Sequence, residues 1–277
     1  MYAIQKDGTH IEDTYDILIL ATGSTPTNIE TYDVQTLKNF DDAQRIDNSF
    51  DHFSLKEVII AGAGLIGLEL SESAHTRNKA VSVVEKNERI LHKYFDSWIS
   101  DEIQTLLNLN GITTHLNTAL NDSYFNSVEG KYRHQMHIAV IGIIPNTTLG
   151  QYTLGLGPKN SYLVNKHAQP SRPLVYAIGD CASVYSNAVK DEVYCSLATH
   201  ALHSGKIPAQ HILGNTVKLG TQSSIGTTLF GYNIFATGAN SVVAREAGLK
   251  VYTLNREDTM LYDFIENARR VQINTCD

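Results

Sequence analysis

The chain has 277 residues, 42% of them hydrophobic, and a formal net charge of −7 at pH 7. This length suits one large or two ordinary domains, and the negative charge argues against a nucleic-acid partner or an anionic membrane surface. No apolar run approaches the ~20 residues of a membrane span, and no tract of the signal-peptide type opens the chain. Three cysteines without a close pair or metal-type spacing fit a reducing cytoplasm, and we expect no metal site.

The first part of the chain contains a predicted buried strand that ends in small residues. A strand-and-turn region over residues 1–14 precedes it, and Ile17 to Leu20 form the strand. Ala21, Thr22 and Gly23 follow, so a ligand can lie close to the backbone at the strand's carboxyl end. A plain turn rich in Gly and Pro is the alternative interpretation. A short helix is predicted around residues 41–46.

A glycine-rich segment then has the order of a dinucleotide-binding βαβ unit. A buried strand at 58–61 leads into G-x-G-x-x-G, formed by Gly62, Gly64 and Gly67. Gly62 permits the tight turn, Gly64 lets the backbone approach a pyrophosphate, and Gly67 lets the helix pack close to the strand. A helix is expected over 65–78, with Ile66, Leu70 and Ala74 on one face. Its N-terminus offers N–H groups to phosphates.

An acid follows the second strand of this unit, at the distance expected for a ribose ligand. The strand is predicted at 81–84, and Glu85 lies at its end. A carboxylate there accepts hydrogen bonds from the ribose hydroxyls and repels a 2′-phosphate, so we expect NADH to be preferred over NADPH. Lys86 and Arg89 act in the other direction, since either could approach a phosphate.

The remaining elements alternate between helices and strands up to about residue 214. We predict helices at 97–110 and 195–213, and strands at 112–116, 137–141, 163–164 and 174–180. Residues 118–134 are polar and poorly periodic. Asp180 ends its strand, where a carboxylate can accept a hydrogen bond from a ligand hydroxyl. Beyond residue 220 the pattern changes to an antiparallel sheet at 221–236, a helix at 240–247 and a strand at 251–254.

Taken together, four motifs in order resemble those of the FAD-dependent pyridine nucleotide-disulfide oxidoreductases. They are Ala21-Thr-Gly-Ser-x-Pro, the G-x-G-x-x-G unit with Glu85, Gly142-x-x-Pro-Asn-Thr, and Tyr176-Ala-Ile-Gly-Asp. The similarity is to the branch of NADH oxidases, NADH peroxidases and coenzyme A-disulfide reductases. It implies an α/β fold with two Rossmann-like domains, a partial FAD domain with an NAD domain inserted in it, and a partial α+β interface domain. The implied boundaries are 1–31 and 151–217 for FAD, 32–150 for NAD, and 218–277 for the interface.

The resemblance also implies which residues hold the two cofactors, FAD and NAD. Lys38 lies where the family often has an arginine that touches FAD. For FAD the residues are Ala21, Thr22, Gly23, Ser24, Lys38, Asp180 at the ribityl chain and Ala198 against the flavin. For NADH they are Gly62, Gly64, Ile66, Gly67, Glu85, Tyr94, Gly142 and Ser196. Tyr94 has an alternative role, packing beneath the sheet.

Two functions stay open at this point. By resemblance, NADH would reduce FAD, and electrons would pass to a small acceptor such as oxygen, peroxide or a disulfide. The family's first FAD unit and redox cysteine are not in this sequence, so no catalytic residue is predicted. The alternative is therefore an inactive NAD-binding remnant, expected to bind NADH but to carry no flavin. The full enzyme of this family is expected to be a homodimer.

Overall fold

The computed structural model describes residues 2–29, 33–120, 134–259 and 270–276. Two compact units divide the chain. Unit 1 comprises residues 1–25 and 144–221, and unit 2 comprises residues 26–143 and 222–277. The predicted three-domain partition is finer than this division and stays a prediction. Within the described ranges, no helix is long and apolar enough to cross a membrane.

The elements are numbered in chain order. The strands are β1 (Tyr2–Ile4), β2 (His10–Glu12), β3 (Leu18–Leu20), β4 (Ser24–Pro26), β5 (Val34–Thr36), β6 (Glu57–Ala61), β7 (Ala80–Val84), β8 (Thr113–His115), β9 (Gln135–Ala139), β10 (Ile143–Pro145), β11 (Val175–Ala177), β12 (Val184–Tyr185), β13 (Glu192–Val193), β14 (Ile225–Leu229), β15 (Tyr232–Ala236), β16 (Thr253–Thr259) and β17 (Arg270–Cys276). The α-helices are α1 (Phe40–Asp51), α2 (Leu65–Thr76), α3 (Ser97–Leu109), α4 (Ala198–Ser204), α5 (Lys206–Ile212) and α6 (Ser241–Glu246).

Unit 2 is built on a parallel sheet with the strand order β5-β9-β6-β7-β8. Strands β6 and β7 are apolar runs whose side chains are almost all buried, as expected for a sheet covered on both faces. From β6 the chain moves through α2 to β7 on one side, whereas β9 lies on the other side. The strand order therefore reverses between β6 and β9, the position at which such sheets bind ligands.

The end of the chain contributes two antiparallel hairpins to unit 2. Strands β14 and β15 pair in register from Ile225 with Ala236 to Leu229 with Tyr232. The first hairpin contacts α2, because the Thr227 hydroxyl donates to Glu69 and the Phe230 N–H donates to Glu72 Oε1 at 2.9 Å. Strands β16 and β17 form the second hairpin.

Unit 1 has a small core around two parallel strands. β3 and β11 pair with Leu18 opposite Val175 and Leu20 opposite Ala177. Tyr162 is fully buried beside them, and its hydroxyl donates to Thr147 O and accepts from the Gly150 N–H, both at 3.0 Å. Burial raises the pKa of this tyrosine. Cys181 is free and buried in the same core, and Cys195 is free and buried in a second cluster.

Several predicted elements differ from the structure. The predicted helix 195–213 is two helices, α4 and α5, and Gly205 lies between them. Residues 163–164 form no strand. The neighbouring Tyr162 makes isolated bridges with Leu156 and with Ala182 that do not extend into a ladder. Helix α1 is twice as long as predicted, since Asn39 and Asp42 form a capping box at its start. Most of 118–134 lies outside the described residues.

The buried face of α2 is also not the predicted one. Gly67, Leu68, Ser71 and Ala74 face inward, whereas Ile66 is 49% exposed. The prediction was right for Ala74 and wrong for Ile66, because it followed apolar residues alone. The Ser71 hydroxyl donates to Leu68 O at 2.7 Å, so this polar side chain is satisfied inside the core.

Candidate functional site: a dinucleotide cradle and a carboxylate at a strand end

The glycine-rich turn of unit 2 is shaped by close backbone contacts. Gly62 has φ +103°, and a Cβ there would lie 2.6 Å from Val140 O. At Gly67 a Cβ would lie 1.9 Å from Gly62 O, so the helix can approach the strand only with glycine at this position. These contacts support the two structural roles that the motif predicts for Gly62 and Gly67.

Gly64 has a different environment from the other two glycines. It is the N-cap of α2 and supplies no side chain to cap the helix, and a Cβ there would meet nothing within 4 Å. The first N–H groups of an α-helix have no acceptor within the helix. The start of α2 therefore presents these donors and the positive end of the helix dipole to an open space beside Gly64. Both features favour an anionic group such as a pyrophosphate.

Glu85 lies at the end of β7, next to this cradle, and is 6% exposed. Its Oε2 accepts from the Ala63 N–H at 2.9 Å. Its Oε1 accepts from both the backbone and the side-chain amide of Asn87. The carboxylate is therefore held against the glycine turn by charge-assisted hydrogen bonds, with Asn87 as a partner that the sequence pattern did not reveal.

The other residues predicted for NADH in unit 2 lie at the edges of this cradle. Ile66 is in the first turn of α2 with its side chain half exposed, and Gly142 follows β9 with φ +118°. Tyr94 is half-buried in the loop after Glu85, and its ring is 5.3 Å from Lys93 Nζ. Arg89 donates to Phe95 O at 3.3 Å, whereas Lys86 is exposed.

In unit 1, the structure brings two of the predicted FAD motifs together at one strand edge. Ser24 follows β3 by four residues and is buried, and its hydroxyl donates to Asp180 Oδ2 at 2.9 Å. The Ile178 N–H donates to Leu20 O, so both strands end at the same edge. Gly179, with φ +69°, turns the chain there. Because the register of β3 and β11 aligns these ends, Ala21, Thr22, Gly23 and Asp180 lie on the same side of the pair.

Two polar side chains, Asn146 and Tyr194, hold this edge in place. Asn146 donates through Nδ2 to Thr22 O at 3.0 Å, accepts from Thr25 at 2.8 Å, and donates through its N–H to Gly23 O. The Tyr194 hydroxyl donates to Asp180 O at 2.9 Å, and burial followed by the Asp180 charge raises the pKa of Tyr194. The Pro-Asn pair of the third motif is thus tied to the Ala-Thr-Gly motif.

His200 is buried in α4, whereas His203 on the same helix is exposed. Burial lowers the pKa of His200, and the Asp180 carboxylate partly opposes this effect. Ser196 and Ala198 lie just before and at the start of α4, and Ala198 is exposed. Lys38 belongs to unit 2, where its N–H donates to Asp42.

These two sites define an α/β protein of the dinucleotide-binding class, with a glycine cradle on one unit and a carboxylate at a strand end on the other. Residues 2–205 match the family model described as pyridine nucleotide-disulphide oxidoreductase. The chain belongs to this family.

Named relatives and solved structures agree with the family assignment. The chain is 33% identical to an NADH oxidase of Lactococcus lactis over 99% of its own length and 65% of the relative's. It is 30% identical to an NADH oxidase of Streptococcus pyogenes over 95% of its length and 63% of the relative's. A water-forming NADH oxidase from Lactobacillus brevis, bound to NADH, superposes with a TM-score of 0.88 at 27% identity, covering 98% of this chain and 62% of that one. The chain thus spans somewhat less than two thirds of the length of these relatives.

Proposed function

We propose that this chain is part of an FAD-dependent NAD(P)H oxidoreductase of the NADH oxidase type. NADH would deliver a hydride to FAD, and the electrons would pass on to oxygen, peroxide or a disulfide. The observation that carries the proposal is the open cradle at Gly64, with Glu85 anchored beside it. The names of the relatives support the same activity.

The chain's own residues would bind NADH in unit 2. The start of α2 would hold the pyrophosphate, and Glu85 would accept hydrogen bonds from the adenosine ribose. Ile66, Tyr94 and Gly142 would line the rest of the NADH site. In this arrangement the preference for NADH over NADPH follows from the Glu85 carboxylate, which would repel a 2′-phosphate. Arg89 is already hydrogen-bonded to Phe95 O, which leaves Lys86 as the neighbouring cation able to reach a 2′-phosphate.

The strand-end carboxylate in unit 1 fits the polar chain of a flavin cofactor. When bound, FAD supplies the hydride-accepting chemistry. Asp180 would accept a hydrogen bond from a ribityl hydroxyl, and Ser24, Tyr194 and Asn146 would keep this edge in its present geometry. The flavin site would also include Ala21–Gly23 and Ala198, which belong to the same unit as Asp180.

The division into domains and the partners are part of the same proposal. Residues 1–31 and 151–217 would form the FAD domain, 32–150 the NAD domain and 218–277 the interface domain of a homodimer. Exposed apolar side chains on the terminal hairpins, such as Phe235 and Leu254, support an interface. The free thiols of Cys181 and Cys195 support a reducing compartment, the cytoplasm.

A matched pair of acid variants tests the nucleotide site. Glu85 is buried against the glycine turn, whereas the side chain of Glu88, three residues on, is 80% exposed. We expect Glu85→Gln to weaken NADH binding about tenfold, because a neutral amide makes weaker hydrogen bonds to the ribose and to the Ala63 N–H. Glu88→Gln should bind NADH like the unmodified chain. Trp98, the single tryptophan, is the second residue of α3, and α3 follows the loop after Glu85. Quenching of its fluorescence by NADH therefore measures the affinity.

The same titration with NADPH tests the specificity. The unmodified chain should bind NADPH more weakly than NADH, and Glu85→Gln should narrow the difference by removing the charge that repels the 2′-phosphate. Equal losses in both acid variants, or an absence of saturable binding by the unmodified chain, would contradict the proposed nucleotide site.

A further inference from the structure

We propose that Asn240, near the end of the chain, is a positioning residue for the nucleotide site. It would hold the loop that follows Glu85, residues 86–96, which we call the Glu85 loop. The inference rests on the proposed NADH site, because this loop carries Tyr94 and joins Glu85 to helix α3. Both partners belong to unit 2.

Two adjacent residues at the start of α6, Asn240 and Ser241, connect this helix to the Glu85 loop. Asn240 is 8% exposed, and its Nδ2 donates to His92 O at 2.9 Å and more weakly to Phe95 O at 3.4 Å. Next to it, the Ser241 N–H donates to Asp96 Oδ1 at 2.9 Å. These contacts enclose the stretch of the loop that contains Tyr94.

Asp96 takes part in this contact instead of its usual local role. It is the N-cap residue of α3, a position at which a carboxylate commonly caps its own helix, yet it makes no such capping hydrogen bond. Its Oδ1 accepts from the backbone of Ser241 instead, and the residue is 9% exposed. The side chain of Asp96 is therefore held by α6 and not by the helix that it precedes.

Asn240 uses the two ends of its amide for different purposes. Its Oδ1 accepts from the Val243 N–H at 2.9 Å and so caps α6, while its Nδ2 reaches the loop carbonyls. Serine and aspartate can both cap a helix in this way. An ionised aspartate has no donor in place of Nδ2, and serine keeps one hydroxyl donor but on a shorter side chain that does not extend to the Nδ2 position. The two roles can thus be separated by substitution.

The Glu85 loop needs contacts of this kind, because its backbone is strained. Leu91 is buried with φ +51°, a left-handed conformation that is unfavourable for a leucine. Its N–H donates to Ala63 O at 2.9 Å, and the Ala63 N–H donates to Glu85. The loop is therefore attached to the glycine turn at Leu91 and to α6 at His92, Phe95 and Asp96.

This arrangement makes nucleotide affinity depend on the attachment to α6. If the loop leaves this geometry for part of the time, the apparent Kd rises by the inverse of the competent fraction. By linkage, bound NADH must in turn favour the attachment. NADH should therefore slow amide exchange at Ser241 and Val243, about 150 residues away along the chain from Glu85.

The decisive variant is Asn240→Ser, which keeps an N-cap oxygen on a side chain too short to place a donor where Nδ2 reaches the loop. We expect NADH affinity to fall about fivefold, in line with the loss of one hydrogen bond to a buried carbonyl. In the nucleotide-free protein, exchange at the amides of Leu91, Tyr94 and Phe95 should become faster. NADH should no longer slow exchange at Ser241. Asn240→Asp, which also keeps the cap, provides a second variant if the serine variant does not fold.

Asn233→Ser is the matched control, since Asn233 is exposed on β15 and its amide oxygen accepts from Thr228. It should leave both the loop amides and NADH affinity unchanged. Wild-type loop exchange and wild-type affinity in Asn240→Ser would overturn the inference. If the unmodified chain itself binds no NADH, the proposed function fails, and the loop amides of the nucleotide-free variant still decide whether Asn240 holds the loop.

Discussion

At the residue scale, the polar side chains buried in unit 2 serve specific partners. Glu85 holds the glycine turn, the Ser71 hydroxyl donates to Leu68 O within α2, and Asn240 joins α6 to the Glu85 loop. An apolar residue in place of Glu85 or Asn240 would leave a backbone group without this partner, at a cost of about 1–3 kcal/mol. The partners of Glu85 and Asn240 are distant in the sequence.

His137 illustrates the consequence of burying a titratable group. It lies on β9 between Val34 of β5 and Ile59 of β6, and it is 6% exposed. Burial lowers its pKa below the ordinary value of 6.5, and the negative charges of Glu57 and Asp33 oppose this only partly. The unfolded chain binds the proton more readily than the folded chain. The contribution of the neutral, buried His137 to stability is therefore present above pH 6.5. It is lost as the pH falls from there towards the lowered pKa.

We therefore expect the urea midpoint to decrease between pH 7.5 and pH 5.5, and His137→Gln to reduce this decrease. One proton contributes at most about 1.4 kcal/mol per pH unit. His134→Gln is the control, because His134 is exposed at the beginning of the same strand region. An unchanged pH dependence in His137→Gln would show that His137 does not cause this loss.

At the element scale, β6 and α2 form a rigid corner in which three glycines have unequal roles. Gly67 lies in contact with the Gly62 carbonyl, whereas Gly64, with φ −81°, has a conformation open to any residue and faces free space. The corner's backbone fit depends on Gly62 and Gly67, and its ligand space depends on Gly64.

Alanine at these two positions should therefore have opposite effects. Gly67→Ala should destabilise unit 2 by about 3 kcal/mol, since its Cβ cannot fit beside Gly62 O without moving α2. Gly64→Ala should melt within a few degrees of the unmodified chain, yet it should bind NADH at least about tenfold more weakly, because the methyl group occupies the pyrophosphate space. Thermal melts and Trp98 quenching separate the two. A stable Gly67→Ala chain would contradict the packing argument.

At the scale of the whole molecule, the apolar side chains on the terminal hairpins favour association. Phe235 is 72% exposed on β15, and Leu254 is 63% exposed on β16. Large apolar groups of this kind commonly mark a protein–protein interface. The proposed homodimer would bury them.

We expect the chain to sediment as a dimer at micromolar concentration. The double variant Phe235→Ser and Leu254→Ser should raise the dimer Kd at least about a hundredfold, because each side chain contributes about 1.5–3 kcal/mol when buried. Leu202→Ser, at a leucine 74% exposed in unit 1, should not change the distribution. A monomeric unmodified chain would rule out this interface.

The sequence by itself determined the dinucleotide unit and the family. Gly62, Gly67 and Glu85 could be assigned roles in advance because a βαβ corner imposes local spacing: a turn, a close helix–strand contact and an acid one strand later. The ends of β3 and β11 were predictable for the same reason, since buried runs followed by small residues end strands at a sheet edge. The cofactor roles of all the predicted site residues, Glu85 and Asp180 as much as Ala198, Ser196 and Lys38, stay predictions.

Only the tertiary structure decided which distant groups meet. Asn87, Tyr194 and Asn240 carry no pattern that marks them as supports of a site, because an isolated amide or phenol has the same sequence signal on a surface as in a core. Asn146 belongs to the third motif, but the sequence does not show that its side chain reaches the backbone of the Ala-Thr-Gly motif. The buried face of α2 was mispredicted because a satisfied polar residue such as Ser71 can replace an apolar one inside. The helix break at Gly205 was mispredicted as well. Hydrogen bonds between residues 145 positions apart, as between Asp96 and Ser241, depend on strand order and docking, which local periodicity does not encode.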